Sequence, residues 1–202
     1  MISQPNTPGL PAIPGTRREV EAIKRRLTTD GVPFRCLEEQ AATLKQVFSD
    51  LDLYPCVHLA CHAVQDQSEP LRSGFHLHDG RLELSELLKK QLPKADFAFL
   101  SACQTSTGDE KLSEEAVHVA AGMLAAGYRG VVATMWSIMD LYGPQIAEEF
   151  YESLLGTAGS KNEINGASAA HALHHATAKM QERLGDSEFS LLAWVPYVHF
   201  GL

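Results

Sequence analysis

The sequence Asp96-Phe97-Ala98-Phe99-Leu100-Ser101-Ala102-Cys103-Gln104-Thr105-Ser106-Thr107-Gly108 decides the fold. A short apolar run ends in small and polar residues, and a cysteine stands at the junction. This pattern predicts a buried strand of a parallel sheet with Cys103 at its carboxyl end. Ligands and catalytic groups of open α/β sheets gather at that end. A free cysteine is also among the most buried residue types, so Cys103 taken alone is better explained as a core thiol.

The composition is that of one soluble globular domain. The chain has 202 residues, of which 45% are hydrophobic and 21% are charged. The net charge of −8 argues against nucleic acid or an anionic membrane as partner, since both require a basic surface. No apolar run approaches the ~20 residues of a spanning helix, and no signal-peptide pattern opens the chain. We therefore expect the four cysteines to be reduced thiols in a cytoplasmic protein.

Strand-like runs alternate with amphipathic helical patterns along the chain. Residues 1–15, rich in proline and glycine, predict a segment without helix or central strand, and residues 16–202 form the domain proper. Thr16 and Glu19 match a capping box at the start of the first helix. The predicted helices are 17–27, 38–51, 82–92, 113–126, 143–155 and 165–184, and the predicted strands are 32–37, 54–62, 97–103, 129–136 and 191–200. This alternation predicts a three-layer α/β/α sandwich on a mostly parallel sheet.

Three of the predicted strands end on reactive or charged side chains, namely His62, Cys103 and Asp140. A thiol attacks a carbonyl only after it loses its proton, and a histidine within hydrogen-bond reach takes that proton. The separation of His62 and Cys103 in sequence is about one strand–helix–strand unit. Two adjacent parallel strands would therefore present them side by side, as nucleophile and general base.

The neighbours of these side chains suggest two further roles. The main-chain amides of Ala63 and Cys103 are candidate donors to an oxyanion. The carboxylate of Asp140 would favour a cationic substrate side chain, or it would cap the helix that begins near Pro144. The sequence supports both interpretations of Asp140 equally.

Five segments, taken in order, resemble the successive signatures of the CHAT domain. They are residues 57–62 (VHLACH), 73–84 (SGFHLHDGRLEL), 100–105 (LSACQT), 131–136 (VVATMW) continuing to Asp140, and 194–201 (WVPYVHFG). The resemblance implies a caspase-like fold of the clan CD cysteine peptidases, related to separase. It implies a catalytic dyad of Cys103 and His62, and an acidic residue at Asp140 that would select a basic P1 side chain.

Two positions depart from the CHAT pattern. Ala63 replaces the glycine that usually follows the catalytic histidine, and a positive φ there would strain an alanine. Only residues 1–4 precede Pro5 where the family has its first core strand, so we expect the C-terminal part of a longer protein, truncated within or just after that strand. The family often carries tetratricopeptide repeats upstream, and such a region is the expected partner besides a protein substrate.

We expect neither a metal nor an organic cofactor. Cys56, His58, Cys61 and His62 alternate between the faces of a strand and cannot converge on one ion, so His58 is interpreted as a core histidine. The leading hypothesis is a cysteine endopeptidase that uses a Cys–His dyad. The alternative is a catalytically weak or inactive caspase-like module for signalling or interaction that depends on partner domains.

Overall fold

The computed structural model describes residues 1–66, 68–104, 115–136, 138–156 and 163–202, and their side chains except at positions 102–104 and 115–118. The strands in this part are β1 Ile2–Ser3, β2 Leu37–Glu38, β3 Cys56–Val64, β4 Gly74–His76, β5 Arg81–Glu83, β6 Phe97–Gln104, β7 Gly130–Thr134 and β8 Tyr197–Gly201. The helices are α1 Gly15–Thr29, α2 Leu44–Leu51, α3 Leu84–Lys90, α4 Glu115–Ala126, α5 Gly143–Gly156, α6 Ala169–Leu184 and α7 Glu188–Trp194.

The strands form one sheet in the order β2-β1-β3-β6-β7-β8. Neighbours from β2 to β7 are parallel, whereas β8 runs antiparallel to β7 along the edge. The hairpin of β4 and β5 joins the carboxyl end of β3, also in antiparallel orientation. The predicted mostly parallel sheet is therefore confirmed.

Helices cover both faces of the sheet because strand residues are apolar on each side. On one face, α2, α3 and α4 pack over Leu59, Ala98 and Val131. On the other face, α1, α5 and α6 pack over an aromatic layer in which the rings of Phe99 and Phe150 lie 4.9 Å apart. Burial of each such side chain contributes about 1.5–3 kcal/mol. The predicted three-layer sandwich is confirmed.

The predicted capping box at the start of α1 is wrong. The helix begins at Gly15, and the Thr16 hydroxyl donates backwards to the carbonyl of Ile13 at 2.9 Å. Glu19 does not return to the helix terminus, because its side chain faces the sheet and is only 2% exposed. The face of α1 that carries Val20 and Ile23 therefore also buries a carboxylate.

Three elements differ from the prediction in their type or their bounds. Ile2–Ser3 forms an internal strand, within a segment that was expected to lack one. Helix α2 begins at Leu44 instead of residue 38, because the Thr43 hydroxyl accepts from the amide of Gln46 as an N-cap. The predicted last strand divides into α7 and β8, and Ser187 caps α7. The N-cap of α4 predicted at residue 113 lies outside the described residues.

Within the described part of the chain, no helix combines the length and the hydropathy that crossing a membrane requires.

Candidate active site

The register of β3 and β6 brings the positions of His62 and Cys103 side by side. The two strands are parallel neighbours, and His62 is the direct partner of Cys103 at their carboxyl ends. Adjacent strands lie about 4.8 Å apart. The thiol of Cys103 lies outside the described side chains, so the juxtaposition is one of backbone positions.

The ring of His62 is buried and held by a main-chain carbonyl. It is 2% exposed, and its Nε2 lies 2.8 Å from the carbonyl oxygen of Pro11. Because a carbonyl only accepts, Nε2 carries the proton in this contact. In the neutral ring Nδ1 is then the basic nitrogen, and it has no hydrogen-bond partner among the described residues. A general base requires such an available lone pair.

Pro11 is the residue that the sequence interpretation missed. It belongs to the segment that leaves β1 and folds across the end of β3 before α1 begins. The amide of Gln4 donates to the carbonyl of Ala60, and the amide of Ile13 donates back to the carbonyl of Pro5 at 2.9 Å. Gly9 has φ +81°, a conformation that favours glycine. The glycine and prolines predicted a segment without helix or central strand, but not that one of its carbonyls would contact His62.

Asp140 caps α1. Its Oδ2 accepts a hydrogen bond from the amide of Gly15 at 2.7 Å and lies 3.7 Å from Nη2 of Arg18. The carboxylate sits at the positive end of the helix dipole, where a negative charge is stabilising. The expectation that Asp140 caps the helix beginning near Pro144 is therefore wrong, because the helix that it caps is α1. Binding of a cationic substrate side chain by Asp140 stays a prediction.

Gly15 is required by this contact. A Cβ at position 15 would lie 2.3 Å from the main-chain oxygen of Asp140 and 2.3 Å from its Oδ1. Only glycine therefore lets the residue 140 backbone and the helix terminus approach so closely.

The β4–β5 hairpin flanks His62 on its other side. His76 of β4 is half-buried, and burial lowers its pKa, with smaller contributions from the charges of Arg81 and His62. His76 is therefore a neutral, partly enclosed neighbour of the candidate site. Asp79-Gly80, a dipeptide typical of tight turns, lies between β4 and β5.

The family model of the CHAT domain matches residues 1–202. The chain belongs to the CHAT domain family. Its fold is similar to that in the crystal structure of the Arg-specific cysteine proteinase gingipain R, with a TM-score of 0.61 at 15% sequence identity. That match covers 99% of this CHAT domain and 45% of the gingipain chain, so this chain spans less than half of the proteinase. No curated protein sequence matches the chain.

Ala63 of the CHAT domain adopts an unstrained conformation. It lies in β3 between Phe75 of β4 and Gln104 of β6. Among the described residues other than glycine, positive φ angles occur at Glu39 and Gln91, so Ala63 does not carry the strain expected for an alanine at this position. An oxyanion donor must turn its N–H out of the ladder toward substrate, and that role of Ala63 remains a prediction.

Proposed function

We propose that this CHAT domain is a cysteine endopeptidase with Cys103 as nucleophile and His62 as general base. The observation that carries the proposal is the hydrogen bond from His62 Nε2 to Pro11, which leaves Nδ1 as the basic nitrogen at the strand end beside Cys103. Membership of the family and the gingipain-like fold support the same chemistry.

The proposed reaction has two stages. His62 Nδ1 takes the thiol proton of Cys103 while the sulfur bonds to the scissile carbonyl carbon, and the carbonyl oxygen becomes an oxyanion. The amides of Cys103 and Ala63 are the proposed donors to that oxyanion. His62 then gives its proton to the leaving amine, and the C–N bond breaks to leave a thioester. Water activated by His62 hydrolyses the thioester and regenerates the thiol.

We further propose that Asp140 selects a basic P1 residue. Its carboxylate is one-third exposed and lies at the N-terminus of α1. The first residue of α1, Gly15, is close in sequence to Pro11, whose carbonyl contacts His62. Arg18 is its present cationic neighbour, at 58% exposure. Such an exposed ion pair contributes little, so a substrate arginine displaces it at small cost. Gingipain R, whose fold is similar, is an Arg-specific proteinase, which agrees with this choice.

The test is covalent labelling of the whole chain by peptidyl acyloxymethyl ketones with arginine, lysine or aspartate at P1. Cys103 is expected to react fastest with the arginine probe, and the adduct is expected to vanish in Cys103→Ala and to slow strongly in His62→Ala. Cys36→Ala is the matched control. Burial and the neighbouring Glu38 raise the pKa of Cys36 to about 11, so its thiol contributes little at neutral pH.

The opposite result is equally informative. If Cys103 of the native chain reacts no faster than it does in the urea-unfolded chain, the endopeptidase proposal fails. The domain is then the interaction module, with its activity, if any, dependent on a partner such as tetratricopeptide repeats. In either case we propose a reducing, cytoplasmic location, in line with the free thiols of Cys36 and Cys56.

A further inference from the structure

A buried carboxylate contacts the two strands that carry the candidate catalytic positions, at residues that precede those positions. Glu19 of α1 is 2% exposed. Its Oε2 accepts a hydrogen bond from Oγ of Ser101 at 2.9 Å, and its Oε1 lies 3.0 Å from Nε2 of His58 in a contact too bent for a regular hydrogen bond. Carboxylates are almost never buried without such partners, because the loss of hydration is costly.

The two partners of Glu19 belong to the two strands that end at the candidate site. Ser101 lies in β6, two residues before Cys103, and His58 lies in β3, four residues before His62. Both partners are also buried, at 3% and 1% exposure. One carboxylate on α1 therefore contacts both strands, and these contacts constrain the helix in rotation as well as in distance.

His58 is itself fixed from its far side. The hydroxyl of Tyr151 in α5 lies 3.3 Å from Nδ1 of His58, and the ring of Phe99 stacks on the imidazole at 4.9 Å. Burial holds the pKa of Tyr151 well above its usual value, so the hydroxyl keeps its proton. When this hydroxyl donates to Nδ1, the proton of the His58 ring lies on Nε2, on the side of Glu19.

The helix that carries Glu19 also positions Pro11. Three residues lie between Pro11 and Gly15, the first residue of α1, and the amide and hydroxyl of Thr16 both donate to the carbonyl of Ile13. The turn that presents the Pro11 carbonyl is thus braced on the first turn of α1. A rotation of α1 against the sheet would carry this turn with it and move the carbonyl away from His62.

We propose that Glu19 is a positioning residue that fixes α1 on β3 and β6 and thereby keeps the Pro11 carbonyl on Nε2 of His62. This inference rests on the proposed role of His62 as general base. The apolar contacts of α1 attract the helix to the sheet but are not directional. The hydrogen bond from Ser101 to Glu19 is directional, and the 3.0 Å approach of Nε2 of His58 holds the second carboxylate oxygen against β3. Together these two contacts set the orientation of the helix.

Glutamine cannot replace Glu19 in both contacts. A carboxylate accepts on both oxygens, whereas the amide of glutamine accepts on one side and donates on the other. If Ser101 keeps its acceptor, the NH₂ group faces Nε2 of His58, and the attraction between the carboxylate oxygen and the imidazole N–H is lost. Glu21, an exposed residue of the same helix, provides the matched control in Glu21→Gln.

The experiment compares the whole chain, Glu19→Gln and Glu21→Gln by ¹⁵N NMR of the histidine side chains, with His62 assigned through His62→Gln. We expect His62 to be the Nε2–H tautomer in the native chain and in Glu21→Gln, and a mixture of tautomers in Glu19→Gln. Labelling of Cys103 by the arginine probe should slow about tenfold in Glu19→Gln and remain unchanged in Glu21→Gln.

A folded Glu19→Gln variant with a pure Nε2–H tautomer overturns the inference. If Glu19→Gln does not fold, Ser101→Ala decides, because it removes one contact and little volume: a mixed tautomer there supports the inference and an unchanged one refutes it. The tautomer is read without any reaction of Cys103. A native chain that is not labelled therefore refutes the proposed function, while the NMR result still tests the role of Glu19 in orienting His62.

Discussion

The two roles of Asp140 can be separated by substitutions that treat its charge and its oxygen differently. Asp140→Asn keeps an oxygen that accepts from the amide of Gly15, whereas Asp140→Ala removes it. Asparagine and aspartate are about equal as helix caps, and alanine costs about 1 kcal/mol in stability. For a domain of this size that loss lowers Tm by about 2–4 °C. Only the alanine variant should therefore melt earlier.

Loss of the negative charge of Asp140 should change the preference for a basic P1 residue, which is a separate effect from the change in Tm. Two unit charges 4 Å apart interact by about 1 kcal/mol in water and about 4 kcal/mol at an effective dielectric constant near 20. Since Asp140 is one-third exposed, we expect about 1–2 kcal/mol, which is a factor of about 5–30 in rate. Asp140→Asn should lower the ratio of arginine-probe to aspartate-probe labelling of Cys103 by this factor.

The assay combines thermal melting with the two labelling rates, and Glu148→Gln, an exposed acidic residue of α5, serves as the control for net charge. An unchanged probe ratio in Asp140→Asn would show that the carboxylate caps α1 and does not select substrate. A loss of Tm in Asp140→Asn as large as that in Asp140→Ala would refute the cap reasoning.

Two further predictions concern stability. Gly15→Ala should lower the free energy of unfolding by roughly 2–4 kcal/mol, from overpacking against Asp140 and loss of the cap, and Tm by roughly 4–16 °C. Gly156→Ala should change Tm little, because a Cβ there meets none of the described residues within 4 Å. Equal Tm values for the two variants would contradict the close approach at Gly15. Glu149→Gln should cost about 1 kcal/mol at pH 7 in chemical unfolding. Burial raises the pKa of Glu149, but the hydrogen bonds from Lys179 and Arg183 outweigh it and leave the pKa lowered. A lowered carboxyl pKa contributes stability that is fully present above the unfolded value of 4.5 and is lost as the pH falls through the folded value, so the difference between wild type and variant should shrink as the pH falls below 4.5. A difference that stays the same on acidification would assign the effect to packing.

The arrangement of the strands was predictable because its causes are local. Apolar runs that end on polar residues mark buried strands, and the carboxyl ends of parallel strands share one edge of a sheet. These two rules suffice to bring the positions of His62 and Cys103 together. The register that makes them direct partners follows from the pairing of Cys56 with Phe97 at the beginning of both strands.

The missed features depend on contacts between distant parts of the chain. Thr16 and Glu19 fit the local pattern of a capping box, but the helix begins at Gly15, two residues before the predicted start, and Glu19 instead contacts Ser101, 82 positions away. Asp140 caps a helix whose first residue is 125 positions before it. The short α7 was hidden because residues 191–200 are apolar enough for a strand, while the cap at Ser187 lies just before them.

The partner of His62 is supplied by the peptide backbone, and this affects how the site evolves. Every amino acid has a carbonyl, so position 11 can change its side chain without losing the acceptor. Alanine scanning and comparison of residue identities are therefore blind to this contact. Selection acts instead on the conformation of the turn. A substitution at a turn residue that does not contact the imidazole can therefore remove the hydrogen bond between Pro11 and His62.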